Sequence, residues 1–238
     1  MKKITITTSV AIIIGSIIIS AAVLFANSLS SKGVTNSKNF VDPDSMFAGR
    51  AFKKEEFLVG GDDKKVVLVE YSDMECPFCK KLHVEVSNQI YKNYGDKLGV
   101  VFRHFPLPFH KKAKQEALAT LCAREIGGQA AYRNYIEKVY EKTQGNDTLN
   151  LDILPIIATE IGLDTNAFKV CMTNASSTSS KMAMIEADAQ DGQLAGVEGT
   201  PNIFVLIKEG SEYRKLTVIN GARDYKYISK VIDQALRQ

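Results

Sequence analysis

Hydrophobic and polar positions divide the chain into three stretches of different character. From Val10 to Ala26 the sequence reads VAIIIGSIIISAAVLFA, an apolar run that no polar face interrupts. The uncharged segment extends from Ile4 to Ser31, long enough to cross the roughly 30 Å hydrocarbon core of a bilayer as a helix. Residues from Asn27 to about Arg50 are rich in Ser, Asn, Lys and Asp and contain the turn-prone Asp42-Pro43-Asp44, which predicts a polar tether. Beyond Lys64 apolar residues return in the periods of strands and helices. Val66-Val67-Leu68-Val69-Glu70-Tyr71 follows a Gly-Gly-Asp-Asp turn and is β-branched and almost continuously apolar, as in a strand buried on both faces. A loop, Ser72 to Glu75, leads into a helix that opens at Cys76-Pro77-Phe78-Cys79 and runs to about Tyr94, where Gly95-Asp96 ends it. A second strand is predicted from Val100 to Phe105.

From about Pro108 to Leu194 the pattern is helical with short breaks. Lys112 to Ile126 stops at Gly127-Gly128, Ala130 to Lys142 stops at Gln144-Gly145-Asn146, and Asp152 to Ile161 ends at Gly162. Asp164 is placed to cap a helix through Cys171, and a last helix covers about Ser179 to Ala195. Strand patterns then resume at Asn202 to Ile207 and Lys215 to Ile219, joined by a hairpin at Glu209-Gly210-Ser211, and Asp224 to Leu236 closes as a helix. The expectation is an α/β domain over residues 51–238, with a helical insertion at about 108–195. It follows an apolar segment, residues 1–26, and a tether, residues 27–50.

Charge refines the reading of the amino terminus. Lys2 and Lys3 precede the apolar run, so the positive-inside rule keeps them in the cytoplasm and sends everything after Ala26 outward. A cleaved signal peptide and a retained signal anchor both fit. The run exceeds a typical signal-peptide core of about 7–15 residues, and only Ser28-Leu29-Ser30 offers a weak cleavage site, which favours a single-pass anchor. The formal charge of +3 and the lack of a long Lys/Arg run argue against nucleic-acid binding, whose first requirement is a basic footprint. The four cysteines, Cys76, Cys79, Cys122 and Cys171, thus fall in a part predicted to be exported, where disulfides persist.

The spacing of the first two carries chemistry. Three positions apart, two sulfurs can meet across one helical turn. Cys76, at the helix start, faces unpaired N–H groups and the positive end of the helix dipole, which favour the nucleophilic thiolate. Pro77 suits the first helical position because it has no N–H to leave unpaired. Cys79, one turn inside, is placed to resolve a mixed disulfide formed at Cys76. Zinc binding would normally require a second close pair of ligands, which the sequence lacks; a lone His83 one turn beyond reads as a solvated or packed side chain. An inert structural disulfide is the other alternative. Cys122 and Cys171 lie in different predicted helices; a structural bridge spanning 171 − 122 = 49 positions, two separate buried thiols and a second redox relay are the readings open to them.

The segment Val66 to His83, VVLVEYSDMECPFCKKLH, resembles the active-site segment of DsbA-like thiol–disulfide oxidoreductases, and its membrane-anchored, thioredoxin-like branch above all. Phe102-Arg103-His104-Phe105-Pro106-Leu107 is similar to that family's second core strand, and Gly196-Val197-Glu198-Gly199-Thr200-Pro201-Asn202-Ile203-Phe204 to its loop bearing a cis-proline. The resemblance covers about Lys64 to Leu236 and implies a thioredoxin fold with an inserted helical subdomain. It implies a cis Pro201 beside the cysteine pair and a Thr200 whose backbone binds a substrate strand. Pro77 and Phe78 would form part of the same surface. Glu70 matches the buried acid that relays protons to the resolving cysteine, and a carboxyl inside an apolar strand is expected to hold its proton more tightly. Reduced exported proteins are the implied substrates, and a membrane protein of DsbB or vitamin-K-epoxide-reductase type the implied re-oxidant; no organic cofactor or metal is implied. One departure stands out. Strongly oxidising members carry His where this chain has Phe78, which predicts a less acidic Cys76 and leaves reductase or isomerase action open.

Overall fold

The computed structural model describes Phe47 and residues 49–238; the apolar run Val10–Ala26 and nearly all of the predicted tether lie outside the described residues. No helix among the described residues is long and apolar enough to cross a membrane. Five strands form one sheet: β1 (Phe57–Val59), β2 (Val66–Ser72), β3 (Leu98–His104), β4 (Asn202–Glu209) and β5 (Glu212–Asn220), in the order β1-β3-β2-β4-β5. Every residue of β2 is buried, as its unbroken apolar run predicts for a central strand. It pairs in parallel with β3 and antiparallel with β4, with Glu70 opposite both Phe102 and Ile203. β1 was not legible in the sequence: it is three residues long and pairs antiparallel with β3 through a register shift.

Period-two alternation sends Val66, Leu68 and Glu70 to one face of the sheet and Val67, Val69 and Tyr71 to the other. The first face packs against the segment that follows the Cys-x-x-Cys motif. That segment comprises α1 (Pro77–Leu82), a π-helical turn (His83–Ser87) and α2 (Asn88–Tyr94), and contributes Leu82, Val86 and Ile90. The closing helix α7 (Tyr225–Leu236) joins them through Ile228 and Ile232, four positions apart on its apolar side, each burial being worth ~2 kcal/mol. Asp224 caps α7 by accepting the Tyr227 N–H at 2.7 Å.

Between β3 and β4 lie four helices: α3 (Ala113–Lys142), α4 (Leu154–Glu160), α5 (Thr165–Thr173) and α6 (Ala175–Leu194). The break expected at Gly127-Gly128 is present: Gly128 is non-helical, with φ 70° and ψ −161°, so α3 consists of two helical segments that meet there at a kink. Asp164 caps α5 through the N–H groups of Asn166 and Ala167. Cys122 of α3 and Cys171 of α5 are joined as a disulfide across 49 positions, a bridge within the insertion. The insertion has its own core of Leu121, Tyr135, Ile136, Phe168 and Ile185, and Met74, Cys76, Cys79 and Phe102 reach into it. The cysteine motif therefore sits at the seam between sheet and insertion.

On the second face of the sheet α6 approaches so closely that a Cβ at Gly192 would lie 2.7 Å from Phe105 and 2.8 Å from Tyr71. A buried charge network fills the rest of that seam. Arg103 of β3, fully buried, pairs with Asp191 and lies 3.5 Å from Glu56, while Arg50 reaches Glu56 and Asp188. Arg50, at the predicted end of the tether, is thus docked on the domain, and the Phe47 N–H donates to the Tyr213 carbonyl at 2.8 Å. The polarity that reads as solvated tether is here consumed by ion pairing.

Candidate active site

Cys76 is the N-cap residue of α1, in extended conformation (φ −79°, ψ 121°), with Pro77 at the first helical position. Both cysteines carry free thiols; Cys76 is 4% exposed and Cys79 fully buried. The Thr200–Pro201 peptide bond is cis, and the Thr200 carbonyl lies 3.4 Å from Cys76 Sγ, so the loop before β4 faces the reactive sulfur. Beside it a cleft of ≈ 420 Å³ is lined by Glu198, Thr200, Pro201, Asn202 and Asn220. Phe78 is 64% exposed next to Cys76, and Phe109, from the loop after β3, is 67% exposed.

The two sulfurs have opposite electrostatics. Cys76 is lowered to about 6, chiefly by the hydrogen bond from the Cys79 thiol; the Thr200 side chain and the backbone N–H groups of Cys79 and Phe78 add to this, against the opposing effect of burial. Cys79 is pushed well above the ordinary thiol value, first by burial and then by the neighbouring Cys76. The arrangement separates a thiolate at the helix start from a protonated partner one turn inside.

Behind the cysteines, the β2–α1 loop is held by Asp73. Its carbonyl accepts the Cys76 N–H at 3.1 Å and its N–H lies 3.5 Å from Cys79 Sγ. Its carboxylate accepts from the N–H groups of Glu75 at 2.7 Å and Leu107 at 2.6 Å, and pairs with His110 Nδ1 at 2.9 Å. Burial raises the Asp73 carboxyl above its usual range, with those donors opposing. Nothing in the hydrophobic pattern marked Asp73 or His110, because a loop residue's partners, here 37 positions away, leave no local period.

Glu70 is buried, as a mid-strand residue of β2 should be, and does not reach solvent. Its Oε1 lies 2.9 Å from His83 Nε2, so of the two readings open to His83, solvated or packed, the structure shows the packed one. The π-helical turn that begins at His83 shifts the helix register there; such turns often occur at functional positions. His83 stacks on Tyr140 at 4.5 Å, and the Tyr140 hydroxyl bonds both the Asp73 carbonyl and Ser72 Oγ at 3.1 Å. Ser72 also lies within hydrogen-bonding reach of Cys79. A cavity of ≈ 20 Å³ beside Glu70, Ser87 and Tyr91 has room for about one water.

A thioredoxin family model matches residues 53–234. The chain is 31% identical over 153 residues to a Na(+)/H(+) antiporter NhaA 1 of Mycobacterium sp. (strain KMS), a match that covers 64% of this chain and spans only 24% of the antiporter. It is 26% identical over 193 residues to disulfide bond formation protein D of Bacillus subtilis (strain 168), covering 80% of this chain and 81% of that one. Among solved structures, alpha-DsbA1 of Wolbachia pipientis superposes with a TM-score of 0.66 at 23% identity, over 78% of this chain and 92% of its own. With the family model spanning residues 53–234, the chain belongs to the thioredoxin family.

Proposed function

We propose that the chain is an extracytoplasmic catalyst of disulfide formation in exported proteins, tethered by its amino-terminal apolar segment as a single-pass signal anchor. The observation that carries the reading is the unequal pair: a Cys76 thiol lowered to about 6 opposite a buried Cys79 held protonated, facing the cis Thr200–Pro201 bond. In the oxidised enzyme a substrate thiolate attacks Cys76 Sγ; the Cys76–Cys79 bond breaks and a mixed disulfide forms. A second substrate thiolate then attacks its partner sulfur and displaces Cys76 as a thiolate. Two substrate thiols lose two electrons and two protons, and the enzyme pair gains the electrons. Run backwards, Cys76 attacks a disulfide and Cys79 resolves the intermediate.

Each buried group has a part in this reading. Cys79 must take up a proton when it is released and lose it when it attacks. Ser72 and Tyr140 connect it toward the Glu70–His83 pair, and the neighbouring cavity gives a water access to Glu70. That geometry supports Glu70 as the proton relay. Thr200 and Pro201 offer backbone to a substrate strand, while exposed Phe78 adds apolar surface suited to an unfolded chain. Re-oxidation is assigned to a membrane partner of DsbB or vitamin-K-epoxide-reductase type, which an anchored enzyme meets in the plane of the bilayer.

Thiolate stabilisation sets the direction. A thiol lowered from 9.0 to about 6 favours the reduced form at pH 7 by about 1–2 kcal/mol, a few tens of millivolts in a two-electron couple. This pushes toward an oxidant, by less than the most oxidising members achieve. The test is the reduction potential of the Cys76–Cys79 couple against glutathione, followed by thiol labelling. A value nearer −120 mV supports disulfide donation, and one near −270 mV replaces it with reduction. A redox-inert pair would remove the enzyme reading altogether.

A further inference from the structure

Phe78, which carries no charge, stands between the two cysteines, yet an imidazole is held on Asp73, whose main chain bonds to Cys76. We propose that His110, held on Asp73, is the positioning residue that supplies the missing positive charge to the Cys76 thiolate. The inference rests on the reading of Cys76 as the reactive thiolate.

The geometry is specific. His110 is 6% exposed, and its Nδ1 is fixed 2.9 Å from Asp73 Oδ2, which leaves Nε2 as the ring's other donor. Asp73 is the residue whose main chain binds both cysteines, through the Cys76 N–H at 3.1 Å and the Cys79 sulfur at 3.5 Å. Imidazole, carboxylate and cysteine pair therefore form one rigid unit. A buried Asp73 carboxylate standing alone would repel a thiolate at Cys76, so the imidazolium serves twice: it cancels that charge and adds its own field.

The groups around His110 agree in sign. From the loop before α1 it faces Asp73 and Cys76, and from residues 143–149 it faces Asp147 and Asn146. Asp147 is fixed by the Lys111 and Lys112 N–H groups at 3.0 and 2.9 Å. Burial alone would lower the imidazole, but its bond to Asp73, with Asn146 and the charge at Cys76, raises it above its ordinary value. The dependence is mutual: a charge that favours the thiolate is itself favoured by it.

The decisive variant is His110→Gln, which keeps a donor toward Asp73 but carries no charge. In the reduced protein, followed by thiolate ultraviolet absorbance against pH, the Cys76 midpoint should rise by about one unit. The equilibrium with glutathione at pH 7 should shift about fivefold toward the disulfide form. The reciprocal measurement does not require that variant to fold. The chain has three histidines, so their titrations separate readily by NMR. In Cys76→Ser the His110 midpoint should fall, while His104, kept neutral by burial and by Arg124 with a value of about 3, stays silent. A folded H110Q with an unchanged Cys76 midpoint, or an unmoved His110 midpoint in C76S, overturns the assignment. If wild-type Cys76 itself titrates like an ordinary thiol, it is the thiolate reading that fails instead.

Discussion

Glu116, in the first turn of α3, is fully buried, and neither of its oxygens meets a donor from any neighbouring residue except across the gap to Glu75. Glu75 is itself fully buried; its Oε2 accepts the Asp147 N–H at 2.7 Å, and its Oε1 has no other donor. Two carboxyls in that position satisfy each other only by sharing a proton. Glu116 is accordingly pushed up to about 10, first by burial, then by the bond to and charge of Glu75, with Asp73 adding and Lys112 opposing. Because the folded value lies above the unfolded one, the native chain holds a proton that the unfolded chain has released at every pH between about 4.5 and about 10. Stability from this group is therefore complete below pH 4.5 and is lost as pH rises, at ~1.4 kcal/mol per unit.

Replacing Glu116 by Gln supplies Glu75 with a permanent N–H donor of nearly the same shape and removes the proton. Between pH 6 and pH 8 the difference in unfolding free energy between E116Q and the wild type should move by ~3 kcal/mol in favour of the variant. The assay is urea unfolding at a series of pH values, with both proteins fully oxidised so that Cys76 and Cys79 do not titrate; His110 contributes equally to each and cancels. Parallel stability curves would refute the shared proton, as would a variant that is uniformly weaker at all pH values.

Two further outcomes follow from the fold. Removing the Cys122–Cys171 bridge as a double alanine variant should cost about 4 kcal/mol, the loop entropy of 49 residues, and lower the urea midpoint without abolishing turnover at Cys76. Arg103→Met should destabilise by ~3–5 kcal/mol in the same assay, because it leaves Asp191 and Glu56 as buried carboxylates with Arg50 as their remaining charged partner, beside the Tyr71 hydroxyl and the Lys53 N–H.

What the sequence showed of this molecule and what it hid follow from how far apart the interacting residues lie. β2 was legible because four consecutive β-branched or leucine residues can satisfy burial on both faces in only one way, and Cys76 because a helix start with Pro77 declares itself within four residues. Thr200 and Pro201 were legible by resemblance alone, since nothing in a Gly-Thr-Pro string states which sulfur it will face. Arg103 lies in a strand where periodicity calls for an apolar residue, and its explanation sits 88 positions away at Asp191. The same holds for His83, whose sequence context left solvation and packing equally open and whose partner Glu70 lies on another element, and for His110 and Glu116, whose partners lie on the other side of the motif. These residues share one property: each is an ionisable group buried in the seam between the sheet, the motif and the insertion. A polar residue in a seam violates the local pattern and is tolerated only when a distant partner satisfies it. A buried charge that breaks its own element's period is thus a sign of a long-range pair. In this chain the Asp73–His110, Glu70–His83 and Glu75–Glu116 pairs of that kind surround the two cysteines, where proton position decides which sulfur reacts.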